Sequence, residues 1–138
     1  MPISPTTYNQ GDTYWCNPDP NLVDTEGSEQ KGDRIWVIMS APRCHRGRCL
    51  VALPLSQHIE KAGGHLIKIP KNEITMVDGN PPIDRVALVD QIRALDKTRL
   101  RKKAGSISKR AVTSILDLGL DYLFGRNLIT PVSPPSSN

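Results

Sequence analysis

Residues 35–56 read IWVIMSAPRCHRGRCLVALPLS, and how this stretch is read decides the fold. IWVIMS (35–40) is an unbroken apolar run of strand length, which suits a strand at the centre of a sheet. RCHRGR (43–48) carries one glycine and four basic side chains counting His45, a composition for a hairpin tip. CLVALPL (49–55) then returns as a second strand, with Cys49 at its start and Pro54 and Ser56 stopping it. An antiparallel hairpin at the middle of the chain points to a β domain.

Working outward, GDTYWCN (11–17) reads as a first strand that carries Tyr14 and Trp15. Between it and the hairpin lies EGSEQKGDR (26–34), preceded by Pro18, Pro20 and Asn21. A hairpin turn needs only about two to five residues, so so long a polar connection is expected to be functional or disordered. Downstream, GGHLIKIP (63–70) alternates as a half-buried strand does. The stretch 71–84 has the turn signals Asp78-Gly79 and Pro81-Pro82 and reads as an irregular connection. VALVDQIRAL (86–95) resumes a strand and loses its alternation. Ser108 is placed to cap a helix running to about Phe124, with Val112, Ile115, Leu116, Leu120 and Leu123 on one stripe and Gly125 as its stop. The expectation is mainly β: about five strands closed by one C-terminal helix. Residues 1–9 would form a flexible arm, 10–125 the domain, and the Pro/Ser-rich 126–138 a disordered tail.

Composition narrows the function classes. With 38% hydrophobic and 23% charged residues in 138, the chain suits one globular domain. No apolar run approaches the roughly 18 residues that cross a membrane, and MPISPTTYNQGD has no signal-peptide pattern, so the cytoplasm is expected. Cys16, Cys44 and Cys49 are an odd count and read as thiols. Cys44, His45 and Cys49 lack the second ligand pair that a structural zinc site requires, so no metal is expected. No phosphate-binding glycine motif or hydrolase elbow occurs, and no cofactor is expected. Charge is uneven: residues 1–29 hold five acidic side chains and no Lys or Arg, whereas 93–110 hold eight basic side chains against one Asp. Such a block, with Arg99, Arg101, Lys102 and Lys103 at its centre, attracts polyanions or acidic protein segments.

Three segments then line up in a familiar order: Gly11-Asp12 with Tyr14-Trp15; Gly27-Ser28-Glu29-Gln30, Gly32 and Arg34 ahead of the core strand; and Pro54-Leu55-Ser56 followed by Asp90-Gln91-Ile92-Arg93, Asp96 and Arg99. Together they resemble the MazF/PemK family of toxins. The resemblance implies an SH3-like small barrel of about five to seven strands with a C-terminal helix, acting as a homodimer. It implies an acidic antitoxin partner that binds DNA, and metal-independent, sequence-selective cleavage of single-stranded RNA to 2′,3′-cyclic phosphate and 5′-hydroxyl ends. On that reading Arg34 and Ser56 are catalytic, the latter standing where the family usually has Thr. Ser28, Glu29 and Gln30 on the loop, with Asp90, Gln91 and Arg93, would contact RNA. Isoleucine follows Arg34 where the family has proline, and Ser28 and Leu88 stand where some relatives carry His and Arg. His58, near Ser56, is available as a substitute base. Two other readings are a gyrase-binding toxin of the CcdB type on the same barrel, and a catalytically weakened RNA- or antitoxin-binding protein. Phe124, Leu123 and Trp36 are the candidates for apolar area left exposed in a monomer.

Overall fold

A computed structural model describes residues 7–17 and 34–125. The expected hairpin is its centre. Strands β1 (Asp12–Cys16), β2 (Arg34–Ile38) and β3 (Cys49–Ser56) run side by side, with Trp15 opposite Ile35 and Ile35 opposite Leu55. Five further strands follow: β4 (Ile67–Ile69), β5 (Ile74–Met76), β6 (Arg85–Ala87), β7 (Arg93–Asp96) and β8 (Leu100–Ile107). The pairing order is β4-β6-β3-β2-β1-β8-β5, with β7 paired to the far part of β3, and the sheet curls into a nearly closed barrel.

Alternation divides the side chains into two layers. Ile35, Val37, Leu53, Leu55, Ala87 and Ile69 point inward and meet Ala111, Val112 and Ile115 of the C-terminal helix. Tyr14, Trp36, Ile38, Leu50, Ala52 and Leu95 form a second buried cluster on the outer face. The helix is α1 (Lys109–Ser114), a π-helical stretch (Ile115–Leu120) and α2 (Asp121–Phe124). Ser108 caps it by accepting from the Ala111 N–H, and Gly125 ends it in the left-handed region at φ 70°, both as expected.

Three expectations are corrected, and the basic block, which the sequence reading assigned to no element, proves to be a strand: residues 100–107 form β8, one of the two longest strands among the described residues. Its alternation is broken by bulges against β1. Gly105 is required there, because a Cβ would lie 1.8 Å from the Thr75 carbonyl oxygen. The stretch 71–84 contains the short strand β5. Residues 86–95 are two strands, split by the 3-10 turn Val89–Gln91. Trp36 is buried at 4% exposure, because Tyr14 and Leu95 cover the outer face. The exposed apolar side chains of the helix are Leu118, Tyr122 and Phe124, and Leu123 is half-buried.

Candidate functional site at the rim of the barrel

Arg34 is the first residue of β2 and Ser56 the last of β3. Their strands pair with Ile35 opposite Leu55, so extending the register by one step sets Arg34 across from Ser56. Opposed residues of an antiparallel pair share a face, so both side chains point to the outer side of the same rim. Arg34 is half-buried, and its guanidinium makes no hydrogen bond or ion pair among the described residues. Ser56 is buried at 6% exposure, and its Oγ accepts from the His58 N–H at 3.0 Å. That leaves the hydroxyl hydrogen to donate. A cation and a hydroxyl donor are what a phosphorane needs as its negative charge grows.

Arg93 opens β7 opposite Ala52, which shares a face with Pro54 and Ser56. It is exposed on the same outer face, four residues along from Ser56, or about 13 Å at strand rise. Asp90 and Gln91 are exposed on the turn after β6, which is held to β3 by the Leu88 N–H on the Pro54 carbonyl at 3.0 Å. Asp90 faces His65, Oδ2 to Nε2 3.5 Å. Arg101, Lys102 and Lys103 are exposed on β8, two strands from β2, and Lys103 approaches Asp12 at 3.7 Å. Arg99 is half-buried in the turn Lys97–Arg99. The structure thus joins Arg34 with Ser56, puts Arg93 on their face and sets the basic strand further round the sheet. Ser28, Glu29 and Gln30 lie outside the described residues. His58 follows Ser56 directly in space, exposed, with Nδ1 3.5 Å from Glu60 Oε2.

Sequence reasoning did not single out Arg85, read Asp78 only as a turn signal and Trp15 only as part of the first strand and the family pattern, and gave none of the three a role at this end of the barrel. Asp78 accepts from the Trp15 indole N–H at 2.8 Å and from the Asn80 N–H at 3.0 Å. The indole bond, above all, lowers the Asp78 pKa to about 2. Arg85 shares a face with Ala87 and so points inward, a placement that shows only once β6 is paired with its neighbours. A groove of about 400 Å³ between Gln10, Pro42, Ile107, Val112 and Leu116 lies apart from all these residues.

A small curled sheet closed by one C-terminal helix defines a class of small barrel proteins. The sequence pattern of the "PemK-like, MazF-like toxin of type II toxin-antitoxin system" family matches residues 9–118, and the chain belongs to that family. It is 32% identical over 120 residues to the endoribonuclease MazF of Staphylococcus epidermidis, covering 86% of this chain and 92% of the relative. Among solved structures it resembles MazF from Deinococcus radiodurans, with TM-score 0.62 and 21% identity over 88% of this chain and 99% of that one. It also resembles an endoribonuclease from a mycobacterial species in complex with its cognate antitoxin, with TM-score 0.58 and 20% identity over 86% and 95%. The expected fold is therefore correct. No helix among the described residues is long and apolar enough to cross a membrane.

Proposed function

We propose that this chain is an endoribonuclease toxin that cuts single-stranded RNA by activating the RNA's own 2′-hydroxyl. The observation that carries the reading is the register that sets Arg34 across from Ser56 at the rim, each with donors unspent among the described residues. The 2′-oxygen attacks the adjacent phosphorus while a base takes its proton, and the bond to the 5′-oxygen breaks. The products are a 2′,3′-cyclic phosphate and, after protonation of the leaving oxygen, a 5′-hydroxyl. Arg34 presents a planar fork of donors to the phosphorane; the Ser56 hydroxyl donates to a second oxygen. His58 is the imidazole beside Ser56, with its Nδ1 3.5 Å from Glu60 Oε2, and is the candidate base for the 2′-hydroxyl. Ser28, Glu29, Gln30, Asp90, Gln91 and Arg93 would choose the bases around the cut.

Family membership supports the reading, as does the relative named an endoribonuclease; neither supports the gyrase-binding alternative. A folded protein given a long single-stranded RNA in EDTA should yield cyclic-phosphate and 5′-hydroxyl ends. Loss of cleavage in EDTA, or 3′-hydroxyl products, overturns the mechanism. An acidic, DNA-binding antitoxin is the expected regulator in the cytoplasm, drawn to the basic strand by charge. A homodimer would cover Leu118, Tyr122 and Phe124 of the helix, which are 54–66% exposed. Light scattering that finds a monomer at micromolar concentration contradicts this.

A further inference from the structure

We propose that Arg85 is a second anion site on the rim, taking a backbone phosphate of the RNA next to the one held by Arg34 and Ser56; this rests on the RNA-cleaving reading. Arg85 opens β6, which pairs with β3 so that Val86 faces Ser56. One further step of that register sets Arg85 across from Gln57, just past Ser56. Arg34 and Arg85 therefore flank the end of β3 from its two neighbouring strands. Their backbones stand about 10 Å apart across two strand spacings. Arg34 points to the outer face and Arg85, in line with Ala87, to the inner one. A chain crossing the rim meets both.

The state of the guanidinium is what calls for a ligand. Arg85 is buried at 7% exposure, and its Nε is sealed from solvent with no hydrogen-bond partner. Among the described residues no carboxylate pairs with it, and no hydrogen bond to its terminal nitrogens is found. A buried cation without partners is costly, and native chains rarely keep one unless something satisfies it. Asp78 is the acidic group whose field reaches it: burial lowers the Arg85 pKa and the Asp78 charge raises it. The Asp78 carboxylate, however, is already spent on Trp15 and Asn80. No carboxylate among the described residues is left to accept from it, and a planar fork of donors fits two oxygens of a phosphate. RNA presents phosphates in series, so a strand seated on Arg34 and Ser56 brings another within the same rim.

The test is binding of a fluorescent, sequence-randomised 2′-O-methyl RNA, which lacks the nucleophile and cannot be cut, across a salt series. Arg85→Met keeps the length of the side chain and removes its charge, and Arg85→Gln is a second neutral variant if the first fails to fold. Each should bind about tenfold more weakly and lower the slope of log K against log salt by about 0.7, the value for one single-strand phosphate contact. Arg85→Lys should keep the slope while losing affinity, because a point charge replaces the fork. The Arg85→Met melting temperature should hold or rise, since an unpaired buried charge is gone. Neutral variants that bind with wild-type affinity and slope overturn the inference and leave Arg85 a packing residue or the donor to a carboxylate of the protein itself. Failure of the wild type itself to bind overturns the RNA reading of the rim, and this inference with it.

Discussion

The two ends of the β2–β3 hairpin treat their polar groups in opposite ways. At the tip, Ser40 Oγ lies 2.6 Å from His45 Nε2, and His45 Nδ1 lies 3.0 Å from the Tyr8 carbonyl. A carbonyl can only accept, which puts the proton on Nδ1 and makes Nε2 the acceptor of the Ser40 hydroxyl. Ser40 Oγ in turn accepts the Val51 N–H at 3.0 Å. Lys97 donates to the His45 carbonyl and lies over the Tyr8 ring, and Arg48 pairs with Asp96 at 2.8 Å. At the rim, Arg34, the Ser56 hydroxyl hydrogen and Arg85 have no such partners among the described residues, and the buried Trp36 indole N–H on the Arg34 face has none there either. An unmet buried group costs about 1–3 kcal/mol, so leaving several at one end is a standing cost to stability. Groups spent on one another hold the hairpin's shape; groups left unspent are the ones a ligand can use.

The largest expected effect breaks the rim. Arg34→Ala removes a contact that strengthens as the phosphorane forms, and should cost about 3 kcal/mol or more, on the order of 100-fold in cleavage rate. The melting temperature should stay near wild type, because no partner loses a bond. Undiminished cleavage by a folded variant would move the chemistry elsewhere.

The basic strand β8 lies between these extremes. Arg101, Lys102 and Lys103 are exposed, and Lys103 has Asp12 at 3.7 Å, so the strand is partly engaged already. Lys and Arg contacts to phosphate release counterions and read no bases. Neutralising all three together should flatten the salt dependence of RNA binding by up to about two units and leave the cut sites as they were. An unchanged slope would make the strand a solvated face, and new cut sites would make it a base reader.

The hairpin was legible in the sequence because IWVIMS is too continuous and too short for anything but a buried strand. Once the hairpin is accepted, its register nearly dictates that Arg34 meets Ser56. The helix was legible through its stripe, its Ser108 cap and its Gly125 stop. Strand β8 was hidden because its exposed positions are all cationic and its bulges break the period of two, so charge masked the pattern. Strand β5 spans only Ile74–Met76, too short for alternation to register. The burial of Trp36 depends on Tyr14, directly opposite it on β1, and on Leu95 of β7; both are remote in sequence, and no local pattern encodes that meeting. Arg85 follows a Pro-Pro turn and looks like a surface residue until β6 is paired with β3.

The smallest effect comes from the tip, and it sharpens the contrast most. Ser40→Ala removes at once the donor to His45 Nε2 and the acceptor of the Val51 N–H. Ser40 and His45 are both half-buried, so water can replace part of what is lost. The cost should be about 1–2 kcal/mol of stability, the range for one or two hydrogen bonds of this kind. His45→Ala should cost a similar amount, and the double variant should cost less than the sum of the two, because both singles break the same bond. Neither change alters the strand register at Ile35 and Leu55, so the rim should keep its geometry. Cleavage rates, measured well below the melting temperature, should match wild type within about twofold. Denaturant melts and cleavage assays on the same samples check both halves. Stability loss with intact cleavage confirms that the tip serves architecture alone. A drop of tenfold or more in rate for Ser40→Ala would mean that the hairpin transmits strain along its length, and that its two ends are not independent.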